Sequence, residues 1–305
     1  MTDPTDQPAR FSVGVVGAGR VGAVLGAALH RVGHRVVAAS AVSEESLHRA
    51  RELLPGIPVL DVPDVVAAAD LVLLAVPDDS LSGLVSGLAA TGSFRPGQVL
   101  VHTSGRHGVG VFEPAARSDV LPLALHPAMS FTGTGIDLDR LPDCVFGVTT
   151  LKELRPLGEA LVLEMGGEPV WVEEEDRPLY HAALTHGADH LVTLVAQSMQ
   201  LLEDAGVDQA GRVLTPLLTS ALDNALRTGD QALTGPVVRG DAGTVAEHLA
   251  ELAAAPQIRS CYRVLARATL QRALRNARLR PAEAEPLRAV LGDETDETDE
   301  TDEED

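Results

Sequence analysis

Residues 17–22, Gly-Ala-Gly-Arg-Val-Gly, fit the spacing G-x-G-x-x-G between an apolar stretch and a segment of helical period, and that context narrows what the chain can fold into. Residues 11–17 (FSVGVVG) read as a buried strand and residues 21–32 as the helix after it. In such a strand, turn and helix, Gly17 permits the tight turn, Gly19 lets a pyrophosphate come against the backbone, and Gly22 lets helix and strand pack closely. The helix opens at Val21, beside Arg20, where unpaired N–H groups and the helix dipole attract phosphate. Gly17, Gly19, Arg20, Val21 and Gly22 are therefore expected to hold a dinucleotide.

The alternation continues. Strands are predicted over 35–39, 71–76, 99–102, 120–125, 144–148 and 168–172, with helices over 44–54, 80–89 and 151–165. This order predicts an α/β domain over 11–174 with a mainly parallel, doubly wound sheet, a Rossmann domain. After the acidic run 173–176 the period of two disappears. Helices are predicted over 178–205, 208–227, 244–253, 258–277 and 281–291, giving an all-α substrate or dimerisation domain over 175–292. Residues 1–10 and the tail 293–305, DETDETDETDEED, are expected to be disordered, because they cannot bury enough apolar surface to offset their ordering entropy.

Charge and composition exclude several partners. Aromatic residues are 3% of the chain, too few for a base-stacking surface, and a net charge of −20 opposes DNA and anionic membranes, which need clustered Lys and Arg. Cys144 and Cys261 lack metal-ligand or Cys-x-x-Cys spacing and read as two reduced thiols; no metal site is expected. No apolar run is long enough for a membrane span and the start lacks an apolar core, so a cytoplasmic protein acting on a small molecule is expected, with no nucleic-acid or membrane partner.

An acid at the end of the second strand binds the ribose 2′-hydroxyl of NAD and repels the 2′-phosphate of NADP. That position holds Ser40, with Ser43 beyond it and Arg20 on the neighbouring turn, so NADP(H) is the expected cofactor; the other reading of Arg20 is a solvated first-turn residue. Ala75, Val76 and Pro77 end a strand at the carboxyl edge of the sheet and are expected to line the cofactor. Asp78 and Asp79 read as a helix N-cap. Thr103 and Ser104 end the next strand and are expected to contact nicotinamide or substrate through their hydroxyls.

The chain resembles a group of Rossmann-like oxidoreductases whose helical carboxyl-terminal half is catalogued as a domain of unknown function, within the superfamily of the 6-phosphogluconate dehydrogenase carboxyl-terminal domain. The resemblance spans residues 11 to 291. It rests on GAGRVG from Gly17, LLAVPD from Leu73, VHTSG from Val101, LHPAMSF from Leu125, YHAALTHGADH from Tyr180 and ALTGPVVRGD from Ala232. Some members look like the alternative ketopantoate reductases, and the resemblance implies that activity. Where the group usually has Asn in the Tyr-His-Ala-Ala helix, this chain has Asp189.

Reducing a carbonyl needs a hydride donor and a proton donor for the developing alkoxide. Related dehydrogenases look to a lysine on the first helix after the Rossmann domain. The one lysine here, Lys152, lies before that helix, so histidine is the natural replacement. His181, Thr185 and Asp189 recur at i, i+4 and i+8 on one helical stripe; His181 is the expected donor, His126 on a carboxyl-edge loop the reserve, and Asp189 a third catalytic candidate. His186 and His190 lack a third metal ligand. For the substrate, Arg239 offers a bidentate fork to a carboxylate in a loop with Thr234 and Gly235, and Asn224 is a further contact; loop bracing for Arg239 and helix packing for Asn224 remain the alternatives. Three functions are compatible: a 2-oxo acid reductase, a reductase of pyrroline-type cyclic imines, and a non-catalytic dinucleotide sensor. Apolar helical faces suggest a homodimer.

Overall fold

The computed structural model describes residues 10–292; the disorder expected at the two ends falls almost wholly outside them. Seven strands, β1 (Ser12–Val16), β2 (Arg35–Ser40), β3 (Leu71–Leu74), β4 (Val99–His102), β5 (Leu121–Pro127), β6 (Val145–Thr150) and β7 (Glu168–Trp171), form one sheet in the order β2-β1-β3-β4-β5-β6-β7. The first five are parallel, β6 runs antiparallel to β5, and β7 is parallel to β6. The order reverses at β1, which pairs with β2 on one side and β3 on the other, so a crevice opens beyond the carboxyl ends of β1 and β3.

The central strands β1, β3 and β4 are buried on both faces, and their two-residue period assigns alternate side chains to different cores, whereas the edge strand β7 is largely exposed. Val13, Val15, Leu71, Leu73, Val99 and Val101 pack with the helices α1 (Arg20–Arg31), α2 (Glu44–Leu53), α5 (Gly135–Arg140) and α6 (Arg155–Glu164). Val16, Val72, Leu74 and Leu100 pack with α3 (Val62–Ala68), α4 (Asp78–Ala90) and a 3-10 segment, Val109–Ser118. Neither α3, α5 nor the 3-10 segment was expected. Each is short or interrupted by proline, and so carries little periodic signal.

Only helices follow β7: α7 (Arg177–Asp204), α8 (Ala210–Thr228), α9 (Ala242–Glu251), α10 (Pro256–Arg275) and α11 (Pro281–Leu291). The chain divides into compact units inside α7, between Asp189 and His190, and not at the residue 174 boundary expected from the loss of strand period. The reason is local: the first turns of α7 carry side chains that bond the sheet, as described below. The second unit has its own core of Val245, Leu249, Leu270, Ala273, Leu287 and Leu291 from α9, α10 and α11. None of these helices is long and apolar enough to cross a membrane.

Candidate active site

The 17–22 turn sits at the switch point. Gly17 has φ 91°, a left-handed conformation that favours glycine, and a Cβ there would lie 2.6 Å from the Ala75 carbonyl oxygen. A Cβ on Gly22 would overlap the Gly17 carbonyl oxygen and approach Ala75 Cβ at 2.8 Å, so this glycine is what lets α1 close on the strands. Gly19, the residue before α1, faces open space, and no side chain caps the helix or places an acid in its first turn. The first N–H groups of α1 therefore remain for an anion, and the turn fits a dinucleotide diphosphate.

The Ala75 N–H donates to Val16 O at 2.8 Å, fixing the end of β3 against the turn. Ser40 faces inward: it is buried, and its Oγ accepts from the Gly17 N–H at 3.1 Å. Its first role is thus to hold the turn. Asp78 and Asp79 lie in the first turn of α4 after Pro77, inside the helix rather than at its cap.

At the carboxyl end of β4, the Thr103 N–H donates to Leu74 O at 3.2 Å and its side chain is half-buried. Ser104 is buried, and its Oγ accepts from the N–H groups of Arg106 and His107 at 3.2 and 3.1 Å, which commits the hydroxyl to turning the loop. His102 is fully buried; its Nδ1 accepts from the Ser104 N–H, so Nε2–H donates to Gly108 O at 2.9 Å. Burial holds this imidazole down to a pKa of about 3, and it is neutral.

Beyond β4 the two expected histidines meet. A Cβ on Gly105 would fall 2.6 Å from His181 Cδ2 and 2.9 Å from His126 Nε2, and the two rings stand edge to face with centroids 6.1 Å apart. His126 Nδ1 and the Tyr180 hydroxyl are 3.0 Å apart. Burial first, then the charge of Arg177, pushes His126 down to about 4, so near neutral pH it is an uncharged imidazole and not a ready acid. The neutral ring can accept the Tyr180 proton at Nδ1 and present Nε2–H on the His181 side. Tyr180 is itself raised by burial.

Arg177, which sequence reasoning missed, organises this region. Its side chain is fully buried among neutral partners: Nε donates to Thr149 Oγ1 at 2.7 Å, Nη1 to Ser104 O at 3.2 Å, and Nη2 to Ala124 O at 3.1 Å and Gly147 O at 2.9 Å. Burial lowers its pKa to about 10, which leaves it charged at neutral pH. Glu174, in the acidic run before α7, accepts from the N–H groups of Val109 and Gly110 at 2.8 and 2.9 Å and so ends the 3-10 segment's unpaired donors. Asp189 lies at the exposed end of this unit, two turns beyond His181.

In the helical unit, Thr234 and Gly235 line a largely apolar cavity of about 430 Å³ with Leu194, Leu233, Tyr262 and Leu265; Asn224 and Arg239 do not line it. Arg239 is exposed, while Asp241 caps α9 by accepting from the Thr244 N–H at 3.1 Å. Asn224 lies on the exposed face of α8. Among the described residues no group of three His, Cys, Asp or Glu could hold a metal ion.

Comparison with known proteins matches residues 1–127 to a Rossmann-like domain and residues 144–269 to a domain of unknown function, DUF2520. No curated protein matches the chain. Solved structures share the fold. A Bacteroides fragilis protein, provisionally assigned as an NADP oxidoreductase, is 21% identical over 86% of this chain and 98% of its own, with a TM-score of 0.71. An imine reductase from a Pseudomonas species is 18% identical over 87% of this chain and 88% of its own, TM-score 0.56. A pyrroline-5-carboxylate reductase from Coxiella burnetii is 17% identical over 87% and 98%, TM-score 0.53.

Proposed function

We propose that this chain, a Rossmann-like domain joined to a DUF2520 domain, is an NADP(H)-dependent reductase of a small 2-oxo acid, with ketopantoate the specific candidate. The observation that carries the reading is the meeting of His126 and His181 over Gly105, two strands along the same sheet edge from the 17–22 turn. NADP(H), when bound, supplies a hydride to the substrate carbonyl carbon. The first N–H groups of α1 orient the diphosphate, and Ala75, Val76, Pro77 and Thr103 border the path toward the histidines. His181 gives its proton to the developing alkoxide oxygen, the neutral His126 with Tyr180 behind it fixes the ring face that His181 meets, and Asp189 acts on substrate directly or through water.

Within the helical unit, Arg239 stays the proposed holder of a substrate carboxylate and Thr234, Gly235 and Asn224 stay proposed contacts, with Arg239 and Asn224 lying outside the cavity that Thr234 and Gly235 line. A cytoplasmic location is part of the same proposal, in keeping with a small-molecule reductase. Exposed Leu222 and Leu226, one turn apart on one face of α8 at 48% and 79%, support a homodimer.

A cyclic imine is the second reading. It is favoured by the low pKa of His126, which removes one of two expected acids, since an imine arrives with its own proton; the solved imine and pyrroline-carboxylate reductases share the fold. The test is NADPH oxidation against a panel of 2-oxo acids and cyclic imines. Turnover of a 2-oxo acid that falls by roughly 10²–10⁴ in kcat in His181→Ala, with NADPH affinity nearly intact, is the expected result. Turnover of neither class with NADPH bound would overturn the reductase reading in favour of a dinucleotide sensor.

A further inference from the structure

We propose that Arg49 of α2, with Arg20 beside it, is the cation site that recognises the 2′-phosphate of NADP(H). The inference rests on the dinucleotide reading above and names the group that sets its cofactor choice. At the end of β2 the Ser40 hydroxyl is turned inward onto the Gly17 N–H, and Ala41 and Val42, the latter 96% exposed, carry no charge. A phosphate dianion seated there must draw its counter-charge from other elements.

Arg49 stands in the second turn of α2, the helix that follows β2. A Cβ on Gly133 would lie 2.8 Å from Arg49 Nε, 2.9 Å from Arg49 Cδ and 3.1 Å from Arg20 Cα, so the Arg49 side chain lies against the start of α1, next to Gly19. Among the described residues, neither Arg20 nor Arg49 is in a hydrogen bond or ion pair. Glu45, one turn before Arg49 on α2, has its carboxyl lowered mainly by its own backbone and Ser43 and least by Arg49.

The surface against which Arg49 rests is rigid. Gly133 has φ 77°, and its N–H donates to Asp137 Oδ2 at 2.7 Å; Thr132 Oγ1 donates to Asp137 Oδ1 at 3.0 Å, and Asp137 is fully buried. A guanidinium whose stem is held in this way loses little further freedom on binding, and its planar fork matches two phosphate oxygens. Arg49 itself borders, with Arg31 of α1 and the 132–135 loop, a recess of about 770 Å³ that also has Glu52 on its wall.

The test is calorimetric titration of the full chain with NADPH, NADH, 2′,5′-ADP and 5′-AMP, which needs no substrate. Hydrogen bonds to a charged group predict that Arg49→Ala weakens NADPH and 2′,5′-ADP by roughly 10- to 100-fold relative to NADH and 5′-AMP. Arg49→Gln keeps most of the stem against Gly133 and is expected to give the same loss, which guards against a packing defect in the alanine variant. Wild-type affinity for 2′,5′-ADP in both variants overturns the assignment while leaving the reductase reading standing. A wild-type chain that binds NADH as tightly as NADPH overturns the choice of cofactor, and one that binds neither overturns the dinucleotide reading and the inference with it.

Discussion

Replacing Arg177 by methionine removes a buried cation that bonds four acceptors, on Thr149, Ser104, Ala124 and Gly147, while roughly keeping the volume of its stem. Each carbonyl left without a donor costs about 1–3 kcal/mol, and relief of the guanidinium's own desolvation offsets part of the sum. A net loss of about 3–5 kcal/mol follows, which at roughly 2–4 °C per kcal/mol for a unit of this size lowers Tm by about 6–20 °C. The variant also loses the positive charge that is the second cause of His126's low pKa, so that imidazole should titrate higher than about 4, nearer the ordinary imidazole value of about 6.5. Arg177→Lys separates the two effects: lysine keeps the charge but not the planar fork, so it should lose much of the stability while leaving His126 low. Thermal unfolding and an NMR titration of the His126 ring report the two quantities. A Tm within about 2 °C of wild type in the methionine variant, with His126 titrating as before, would refute the account of Arg177 as the brace of this region.

Gly105→Ala should fold, because the residue lies in a loop, yet its new methyl must displace the His181 and His126 rings; we expect kcat to fall by about 10²-fold with NADPH affinity kept, and an unchanged kcat would separate these rings from the chemistry. Stability should also fall with acid earlier than carboxylates alone would dictate. His102 at about 3 and His126 at about 4 lie below the ordinary imidazole value of about 6.5, so between about 6.5 and about 4 the unfolded chain binds protons that the folded chain refuses. Stability present above 6.5 is then lost as pH falls through that window, by up to about 1.4 kcal/mol per pH unit for each histidine, and urea midpoints that stay level across it would contradict the burial of both rings.

Much of the fold was legible because it is written in period and punctuation. Helix α2 and helix α11 lie within a residue of their expected spans, and the strands at 99–102 and 168–172 were placed nearly to the residue. The strand expected over 71–76 is in register with β1 to Leu74; the Ala75 N–H still bonds Val16 O, and Ala75 then passes so close to Gly17 and Gly22 that a Cβ on either would meet it. The glycine turn was legible for the same reason, a strand and a helix that cannot close without it. Ser40 was located correctly at the strand end, but only coordinates show its hydroxyl committed to Gly17.

The rest of the site was hidden because its determinants are contacts between distant segments. An arginine after three glutamates and an aspartate and before a proline reads as a solvated first-turn residue; nothing local says that Arg177 is fully buried. The traces it leaves are glycines. Gly147 stands opposite His126 in the antiparallel ladder of β5 and β6, and a Cβ on it would lie 2.5 Å from the Tyr180 hydroxyl oxygen, so that residue must be small for Tyr180 to reach His126. Gly105 makes room in the same way for the two histidines. Both glycines lie outside the dinucleotide turn and serve packing rather than backbone freedom, and each marks a place where a side chain from α7 enters the α/β unit. That is why the first turns of α7 belong to the sheet although they are helical: Arg177, Tyr180 and His181 tie them to β4, β5 and β6, and the boundary between the compact units falls beyond all three, at Asp189.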